Sequence, residues 1–260
     1  MADALHIQVT QQLERGLSYA ESCFETFRVI DGVIFQWDKH WQRLQCGLAS
    51  FGLFLPATQQ QNIKQRCLDA ATQQGDDCLL RLTATGGEAA WGLMQQATPR
   101  IYIQASPFFS SATNINLQSV EYNFPLLDKP AKFSSDYALT LRAKQHWSLA
   151  EGNTALVCKD DFLLCGLAAN IALFVNQQWV TPSGTGILAG IVRAFLIQEN
   201  LLKAQPCPTS ILDDVEAAVL LNSGSFLQAI HRINGNVLDN KHPAIHSLKQ
   251  CLEAQQGVRL

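Results

Sequence analysis

Residues 163–174 read LLCGLAANIALF, and this stretch predicts two buried strands that meet at a tight corner of small residues. The run is apolar on both sides of Gly166, and its one strongly polar side chain is Asn170. Glycine and alanine at the corner let two backbone segments approach closely. Cys165, just before the corner, is either a reactive thiol or the replacement of another group.

The composition describes a chain with a large apolar core and little affinity for polyanions. Of the 260 residues, 47% are hydrophobic and 16% are charged, and the formal net charge is −3. These values indicate a folded chain of one or two domains, without a basic surface that would attract nucleic acid or an anionic membrane. We therefore expect a small-molecule substrate as the binding partner, with no nucleic acid and no membrane.

The eight cysteines indicate reduced thiols in a cytoplasmic protein. They are scattered over positions 23, 46, 67, 78, 158, 165, 207 and 251, with no C-x-x-C pair. Neither a disulfide framework nor a metal site is predicted from this spacing. The N-terminal segment MADALHIQVT lacks the charged-then-apolar pattern of a signal peptide. The longest apolar runs are also too short to span a bilayer.

Segments whose apolar residues recur at helical spacing alternate with segments of strand spacing, which predicts an α+β or mixed α/β protein of two domains. Residues 23–35 predict a β-hairpin that turns at Asp31-Gly32, and residues 137–150 predict a helix. A stretch rich in small polar residues breaks the periodicity and is the predicted linker. The expected organisation is an N-terminal α/β domain at 1–106, a linker at 107–113 and a C-terminal mixed domain at 114–260.

A glycine-rich segment ahead of a predicted helix is a candidate anion site. In VTPSGTGILAGIVR, glycines at 184, 186 and 190 precede the helix, so the backbone N–H groups of Ile191 and Val192 can face a phosphate. The spacing matches neither the dinucleotide motif nor the P-loop. On the local pattern alone, a plain glycine-rich strand-to-helix connection is the favoured explanation.

Three further residues carry candidate chemistry, each with an ordinary alternative. Lys132 lies in a loop ahead of the predicted helix, and if it is buried its lowered pKa suits Schiff-base formation; composition favours a solvated surface lysine. Arg43 can grip a phosphate, or it is an ordinary surface charge. Ser223 follows an apolar strand, which suits a turn or a phosphate contact.

Six segments, in order and in register, resemble the class IV aminotransferase family of pyridoxal-phosphate (PLP) enzymes. They are YAESCFETFRVIDG, HWQRL, AKFSSDYALTLRAKQ, CGLAANIALF, VTPSGTGILAGIVR and LLNSGSFLQAIHRING, from about Tyr19 to Gly235. This family (fold-type IV) includes branched-chain aminotransferases, D-amino-acid aminotransferases and 4-amino-4-deoxychorismate lyases. The resemblance implies the two-domain fold-type IV architecture, PLP bound in a cleft between the domains, and a homodimer.

The resemblance implies a role for individual residues. Lys132 matches the family lysine that bonds covalently to PLP and is the implied catalytic residue. Arg43, in the His-x-x-Arg-Leu segment, matches the arginine that binds the cofactor phosphate. Ile191 and Val192 match the loop whose N–H groups bind the same phosphate, and Ser223 matches a hydroxyl that completes this phosphate site.

The same resemblance gives Cys165 a meaning. The family pattern has a glutamate five residues before the asparagine that is Asn170 here, so Cys165 stands where that glutamate keeps the pyridine nitrogen protonated. Leu188 matches the residue that packs on the pyridine ring. Losing a charge-assisted hydrogen bond costs on the order of 1.5–3 kcal/mol. Transamination stores more negative charge in the ring than elimination does, so this substitution favours a lyase.

The function expected from these features is that of a 4-amino-4-deoxychorismate lyase, which releases pyruvate and leaves 4-aminobenzoate for folate synthesis. The alternatives are an aminotransferase for D- or branched-chain amino acids, and a catalytically weakened family member that still binds PLP. The arginines that many relatives carry around residues 83–92 are missing, which counts against the aminotransferase. Retention of Lys132 and Arg43 counts against complete loss of cofactor binding.

Overall fold

The computed structural model describes residues 9–95, 98–109 and 114–257 as two main β-sheets flanked by helices. The α-helices are α1 (Arg15–Tyr19), α2 (Trp37–Ala49), α3 (Gln60–Thr72), α4 (Ser134–Lys144), α5 (Ile191–Gln198) and α6 (Pro243–Gln256), with 3-10 helices at Ala57–Gln59 and Thr209–Asp214. The strands are β1 (Leu13–Glu14), β2 (Ser22–Ile30), β3 (Val33–Ile34), β4 (Asp77–Thr85), β5 (Glu88–Ala89), β6 (Arg100–Pro107), β7 (Ile115–Glu121), β8 (Asn153–Lys159), β9 (Phe162–Gly166), β10 (Asn170–Val175), β11 (Gln178–Pro182), β12 (Lys203–Gln205), β13 (Ala217–Asn222), β14 (Phe226–Ile233) and β15 (Asn236–Val237). None of the helices in these ranges has both the length and the apolar character that a membrane crossing requires.

The smaller sheet has the strand order β3-β2-β4-β6. Its first hairpin turns at Asp31-Gly32, as predicted, and both residues adopt the left-handed backbone conformation that this turn requires (φ 49° and 74°). Side chains alternate along β2, so Cys23 and Phe27 pack with α2 in one apolar core. Glu25 belongs to the same face by this alternation, which places a carboxylate inside that core.

The larger sheet has the order β12-β11-β10-β13-β14-β7-β8-β9, with β15 paired to β14. The stretch 163–174 supplies β9 and β10, which meet at a bridge between Gly166 and Ala169. The prediction of two buried strands at a tight corner is therefore confirmed. A side chain at Gly166 would place its Cβ 2.8 Å from Leu220 Cδ2 of β13, so glycine is the residue that fits.

Backbone contacts fix the segment that carries Lys132 against the smaller sheet. The Phe24 N–H donates to the Lys132 carbonyl at 2.9 Å, and Cys23 forms an antiparallel bridge with Phe133. Helix α2 lies close on the other side, because a Cβ on its Gly47 would lie 2.8 Å from the Ala131 Cβ. Lys132 therefore has a fixed backbone position between β2 and α2.

One helix boundary differs from that predicted, and the predicted linker is described only in part. Helix α4 occupies Ser134–Lys144 instead of 137–150, because it starts as soon as the chain leaves its bridge to β2. Beyond its end, the indole N–H of Trp147 donates to the Glu121 carbonyl at 2.9 Å. The linker predicted at 107–113 begins on the last residue of β6, and residues 110–113 lie outside the described residues.

Candidate active site

A cavity lies where α2, the Lys132 segment, α4 and the glycine-rich loop approach the larger sheet. Six of the seven site residues expected from the sequence line this cavity: Arg43, Lys132, Cys165, Leu188, Ile191 and Ser223. The side chain of the seventh, Val192, packs in an apolar core instead. Only the backbone of Val192 is therefore available to a ligand, which is the contact that the family resemblance implies.

Lys132 provides an amine of lowered basicity. The pKa of Lys132 is lowered to about 8, mainly because the amine is buried. The Glu25 carboxylate raises this pKa in part, whereas the cations Arg43 and Arg81 lower it further. The Nζ atom lies 5.5 Å from the centre of the Phe24 ring. An amine with this pKa has a substantial neutral fraction near neutral pH, so it can attack a carbonyl carbon or take up a proton. The structure thus favours the buried, reactive alternative for Lys132.

Arg43 is held in place by a buried ion pair with Glu25. Its Nε and Nη2 atoms donate to the two carboxylate oxygens at 2.8 and 2.6 Å, and Nη1 donates to the Ala189 carbonyl at 3.0 Å. These three bonds leave N–H groups of the guanidinium available for a phosphate. Arg43 is therefore a fixed cation beside the glycine-rich loop.

His40 contacts the same carboxylate through Nδ1 at 2.6 Å. Burial would raise the pKa of Glu25, but the hydrogen bonds from Arg43 and His40 outweigh burial and lower that pKa to about 2. Burial lowers the pKa of His40 itself. His40 is thus a neutral imidazole that donates to the ionised carboxylate.

Glu25 and His40 were missed by the sequence reasoning, although a signal was present. Cys23, Glu25 and Phe27 alternate on one face of a strand, and a carboxylate on a core-facing position needs a buried cation or donor. Arg43 lies three residues after His40, so both side chains share one face of α2. The strand pattern alone does not say which helix supplies those partners.

Replacing Glu25 by glutamine should lower the free energy of unfolding by about 3 kcal/mol, because the buried Arg43 loses its counter-charge. The pKa of Glu25 is lowered to about 2 in the folded chain. Its stabilising contribution is therefore complete above the unfolded-state pKa and is lost as the pH falls towards the folded-state pKa. Urea unfolding at several pH values should show the difference between wild type and variant shrinking below about pH 4.

The control for this variant is Asp77→Asn in the Arg28–Asp77 ion pair of the same sheet. The Asp77 carboxylate is 40% exposed, so its loss should cost less than about 1 kcal/mol. Equal destabilisation by Glu25→Gln and Asp77→Asn would contradict the larger contribution to stability that we assign to the buried Glu25 carboxylate.

The first turn of α5 presents unpaired donors to the cavity. Gly190 precedes the helix in an extended conformation (φ −64°, ψ 139°). The Ala194 N–H donates to the Gly190 carbonyl at 2.8 Å, so the N–H groups of Ile191, Val192 and Arg193 come before the first helical hydrogen bond. Such a helix start favours an anion through its free donors and its dipole.

Asn170 holds the glycine-rich loop in this position. Its Nδ2 atom donates to the Leu188 carbonyl at 3.0 Å. A Cβ on Gly190 would lie only 2.0 Å from the Asn170 Oδ1, so a glycine is required where the loop passes this side chain. Ser223 completes this end of the cavity, and its backbone carbonyl accepts from the Arg28 N–H at 2.8 Å.

Cys165 is a half-buried thiol on the cavity wall. Burial raises the pKa of this thiol, and Lys129 opposes the effect only in part, so the thiol is protonated at neutral pH. A nucleophilic cysteine would need a lowered pKa or an adjacent base. Asp160 and Asp161 lie exposed in the turn between β8 and β9 and do not line the cavity. The hairpin that carries Cys165 therefore brings no carboxylate to it.

Five other polar residues of the cavity wall were not given a role from the sequence: Tyr122, Lys129, Thr140, Asp136 and Tyr137. The last two belong to the first turn of α4, directly after Lys132, and this proximity was the available signal. Tyr122 and Lys129 lie between β7 and α4, where no periodicity indicates which side chains turn inward.

The donors of the cavity fit a small molecule with a phosphate at one end and a carbonyl at the other. Arg43 bonds to the Ala189 carbonyl just before α5, Ser223 lines the same cavity, and Lys132 is the amine that can bond to a carbonyl carbon. The apolar side chain of Leu188 offers a surface for a flat ring. PLP has these three features, so the residues present fit it.

Comparison of the sequence with known proteins agrees with this assignment. The family model for class IV amino-transferases matches residues 22–233. The "Putative branched-chain-amino-acid aminotransferase" of Methanocaldococcus jannaschii is 26% identical over 241 residues, covering 88% of this chain and 84% of that protein.

Solved structures share the fold. The 4-amino-4-deoxychorismate lyase from Pseudomonas aeruginosa has a TM-score of 0.77 at 21% identity, covering 96% of each chain. The branched-chain aminotransferase from Thermoproteus uzoniensis has a TM-score of 0.78 at 18% identity, covering 94% of this chain and 88% of that one. The expected fold-type IV architecture is therefore confirmed. Because the family model also spans most of the sequence, this chain belongs to the class IV aminotransferase family.

Proposed function

We propose that this chain is a PLP-dependent lyase of the 4-amino-4-deoxychorismate type, which releases pyruvate and leaves 4-aminobenzoate for folate synthesis. The observation that carries the proposal is Cys165. A protonated thiol lines the cavity where the family resemblance implies a glutamate against the pyridine ring. Without that carboxylate, reactions that expel a leaving group are favoured over reactions that hold charge on the ring.

PLP is the cofactor indicated by the family and by neighbours of the same fold whose structures contain a phosphopyridoxyl or pyridoxamine phosphate group. When bound, it withdraws electrons from the bonds at the substrate carbon that carries the amino group. Arg43, the first N–H groups of α5 and Ser223 would hold its phosphate. Leu188 would pack on its ring, and Lys132 would bond to its carbonyl carbon.

Lys132 is the residue that moves protons in this proposal. Once the substrate amino group has displaced Lys132 from the cofactor, the freed neutral amine of Lys132 would take the proton from the substrate carbon that bears the amino group, and the ether C–O bond to the enolpyruvyl group would then break as the ring becomes aromatic. The proton passes to the leaving enolpyruvate, which becomes pyruvate, so atoms and charges balance without an oxidant. Glu25 stays ionised, because its pKa is lowered to about 2, and it therefore does not compete for this proton.

The rate at which Lys132 captures PLP should rise with pH and level off above about 8. Its pKa is lowered to about 8, and because the neutral amine is the reactive form, the rate should fall about tenfold for each pH unit below that value. Stopped-flow absorbance after mixing apo-protein with PLP measures this profile. A rate that still climbs steeply above pH 9.5, as for an ordinary lysine (pKa ~10.4), would contradict the lowered pKa.

The experiment for the function is incubation of PLP-loaded protein with 4-amino-4-deoxychorismate. Pyruvate, measured by coupled reduction to lactate, and 4-aminobenzoate, measured by chromatography, should form in equal amounts. Absence of both products at saturating PLP would overturn the lyase proposal. Borohydride trapping in the same preparation shows independently whether the cofactor is bonded to Lys132.

An aminotransferase for D- or branched-chain amino acids is the second candidate, because the curated relative carries that kind of name. This candidate predicts that an amino donor alone changes the absorption spectrum of the loaded protein and releases one equivalent of a keto acid. A spectrum unchanged across a panel of L- and D-amino acids would remove it. If both reactions are absent while PLP is bound, the weakened family member is the alternative that is left.

We also propose that the chain forms a homodimer in the cytoplasm, as the family resemblance implies. Sedimentation equilibrium should then give about twice the chain mass of 28.7 kDa. A mass equal to that of one chain at micromolar concentration would contradict the dimer.

A further inference from the structure

We propose that Lys129 supplies a cation to the Cys165 side of the cavity, so that this side favours an unprotonated pyridine nitrogen in the bound cofactor. The inference rests on the proposed function, because it places the cofactor ring between Cys165 and Leu188. It goes beyond that function in one respect. The charge at this position is reversed, from the family's carboxylate to a cation, and is not merely lost.

The geometry for this pairing comes from the segment 122–131, which leads from the end of β7 to Lys132. Lys129 and Cys165 line the same cavity. Leu126, in the middle of the segment, packs in one apolar cluster with Cys165 and Ile187. It also presses on the glycine-rich loop, since a Cβ on Gly186 would lie 2.8 Å from Leu126 Cδ2. This packing holds the segment against the Cys165 side of the cavity.

The charged group that acts on Cys165 is a cation, Lys129. Burial raises the pKa of its thiol, and Lys129 is the charged group that acts against this effect. The other titratable groups that interact with Cys165 are Tyr122, Tyr137 and Cys158. Burial raises the pKa of each of these three groups, so all are neutral at physiological pH.

Asp136 is the one carboxylate among the described residues that line the cavity. It lies on α4 and interacts with the two tyrosines Tyr122 and Tyr137. Burial raises its pKa while Lys129 lowers it. Lys129 acts on both Asp136 and Cys165, whereas Asp136 is not among the groups that act on Cys165.

A cation and a carboxylate have opposite effects on a pyridine nitrogen. Protonation beside an ammonium group places two positive charges together, so the cation lowers the pKa of the nitrogen, whereas a carboxylate raises it. An ammonium group can also donate a hydrogen bond to the unprotonated nitrogen. Cys165 alone, as a neutral thiol, would leave the pKa of the nitrogen near its ordinary value. Lys129 lowers that pKa and so favours the unprotonated nitrogen.

The pairing of Lys129 with Cys165 can be tested without cofactor. Alkylation of Cys165 by iodoacetamide in the apo-protein is followed by mass spectrometry, which separates this thiol from the other seven. Removing the cation raises the thiol pKa, so Lys129→Gln should slow alkylation of Cys165 at pH 8.5 by about tenfold. Lys241→Gln, an exposed lysine outside the cavity, should leave the rate unchanged. Equal rates in wild type and Lys129→Gln would overturn the pairing.

The state of the nitrogen is read by NMR of PLP labelled with ¹⁵N in its ring. Followed across pH, the shift should show that the nitrogen becomes protonated at a lower pH in the wild type than in Lys129→Gln, because the cation disfavours the protonated form. The same protonation midpoint in the wild type and in Lys129→Gln would overturn the inference. If PLP does not bond to Lys132, the proposed function fails, and the alkylation rates still decide whether Lys129 acts on Cys165.

Discussion

Replacing Lys132 by alanine should reduce the formation of pyruvate and 4-aminobenzoate by at least about 10⁴-fold, because one residue supplies both the covalent link and the proton transfers. The backbone hydrogen bond from the Phe24 N–H to the carbonyl of residue 132 does not depend on the side chain, so the variant should fold normally. Initial rates at saturating substrate and PLP measure the loss.

The matched control is Lys144→Ala, which removes an exposed lysine at the end of α4. This variant should retain the wild-type rate. Comparable rates for Lys132→Ala and wild type would show that the chemistry does not depend on Lys132.

Replacing Arg43 by methionine should weaken PLP binding by about 100-fold, because a charge-assisted bond to the phosphate is lost from a buried site. A fluorescence titration of apo-protein with PLP gives the dissociation constant. The substitution also leaves Glu25 without its counter-charge, and the cost to folding must be separated from the cost to binding. The double variant Glu25→Gln/Arg43→Met removes both charges, so it should recover stability but not affinity.

Arg28→Met is the matched control, because it removes an arginine whose side chain lies on the same sheet but does not line the cavity. The Arg28 side chain pairs with Asp77, and methionine keeps the backbone N–H that donates to the Ser223 carbonyl. Its loss should leave the PLP dissociation constant unchanged. If Arg43→Met and the double variant bind PLP as tightly as wild type does, the phosphate lies elsewhere.

Local sequence signals predicted much of the fold and several of the residues that line the cavity. The hairpin at Asp31-Gly32 and the glycines before Ile191 depend on backbone conformations and free donors that particular residue types mark in the sequence. Arg43 and Lys132 were recognised through family segments, and the cavity contains both. Their spacing alone left surface charge as the ordinary alternative for each.

The partners that tune these residues depend on packing between distant segments. Glu25 meets Arg43 only because β2 lies against α2, and no periodicity encodes that match. Lys129 faces the cavity because the loop before Lys132 folds over the glycine-rich loop. The sequence marked the position of Cys165 as unusual, but the charge next to it is a property of the folded chain.

The measurement that tests the site most directly is peptide mapping after incubation with PLP and reduction with borohydride. Lys129 and Lys132 both line the cavity, so the position of the reduced phosphopyridoxyl group distinguishes them. We expect one group per chain, on Lys132, with none on Lys129. A group on Lys129, or none on Lys132 at saturating PLP, would contradict the assignment of Lys132 as the cofactor lysine.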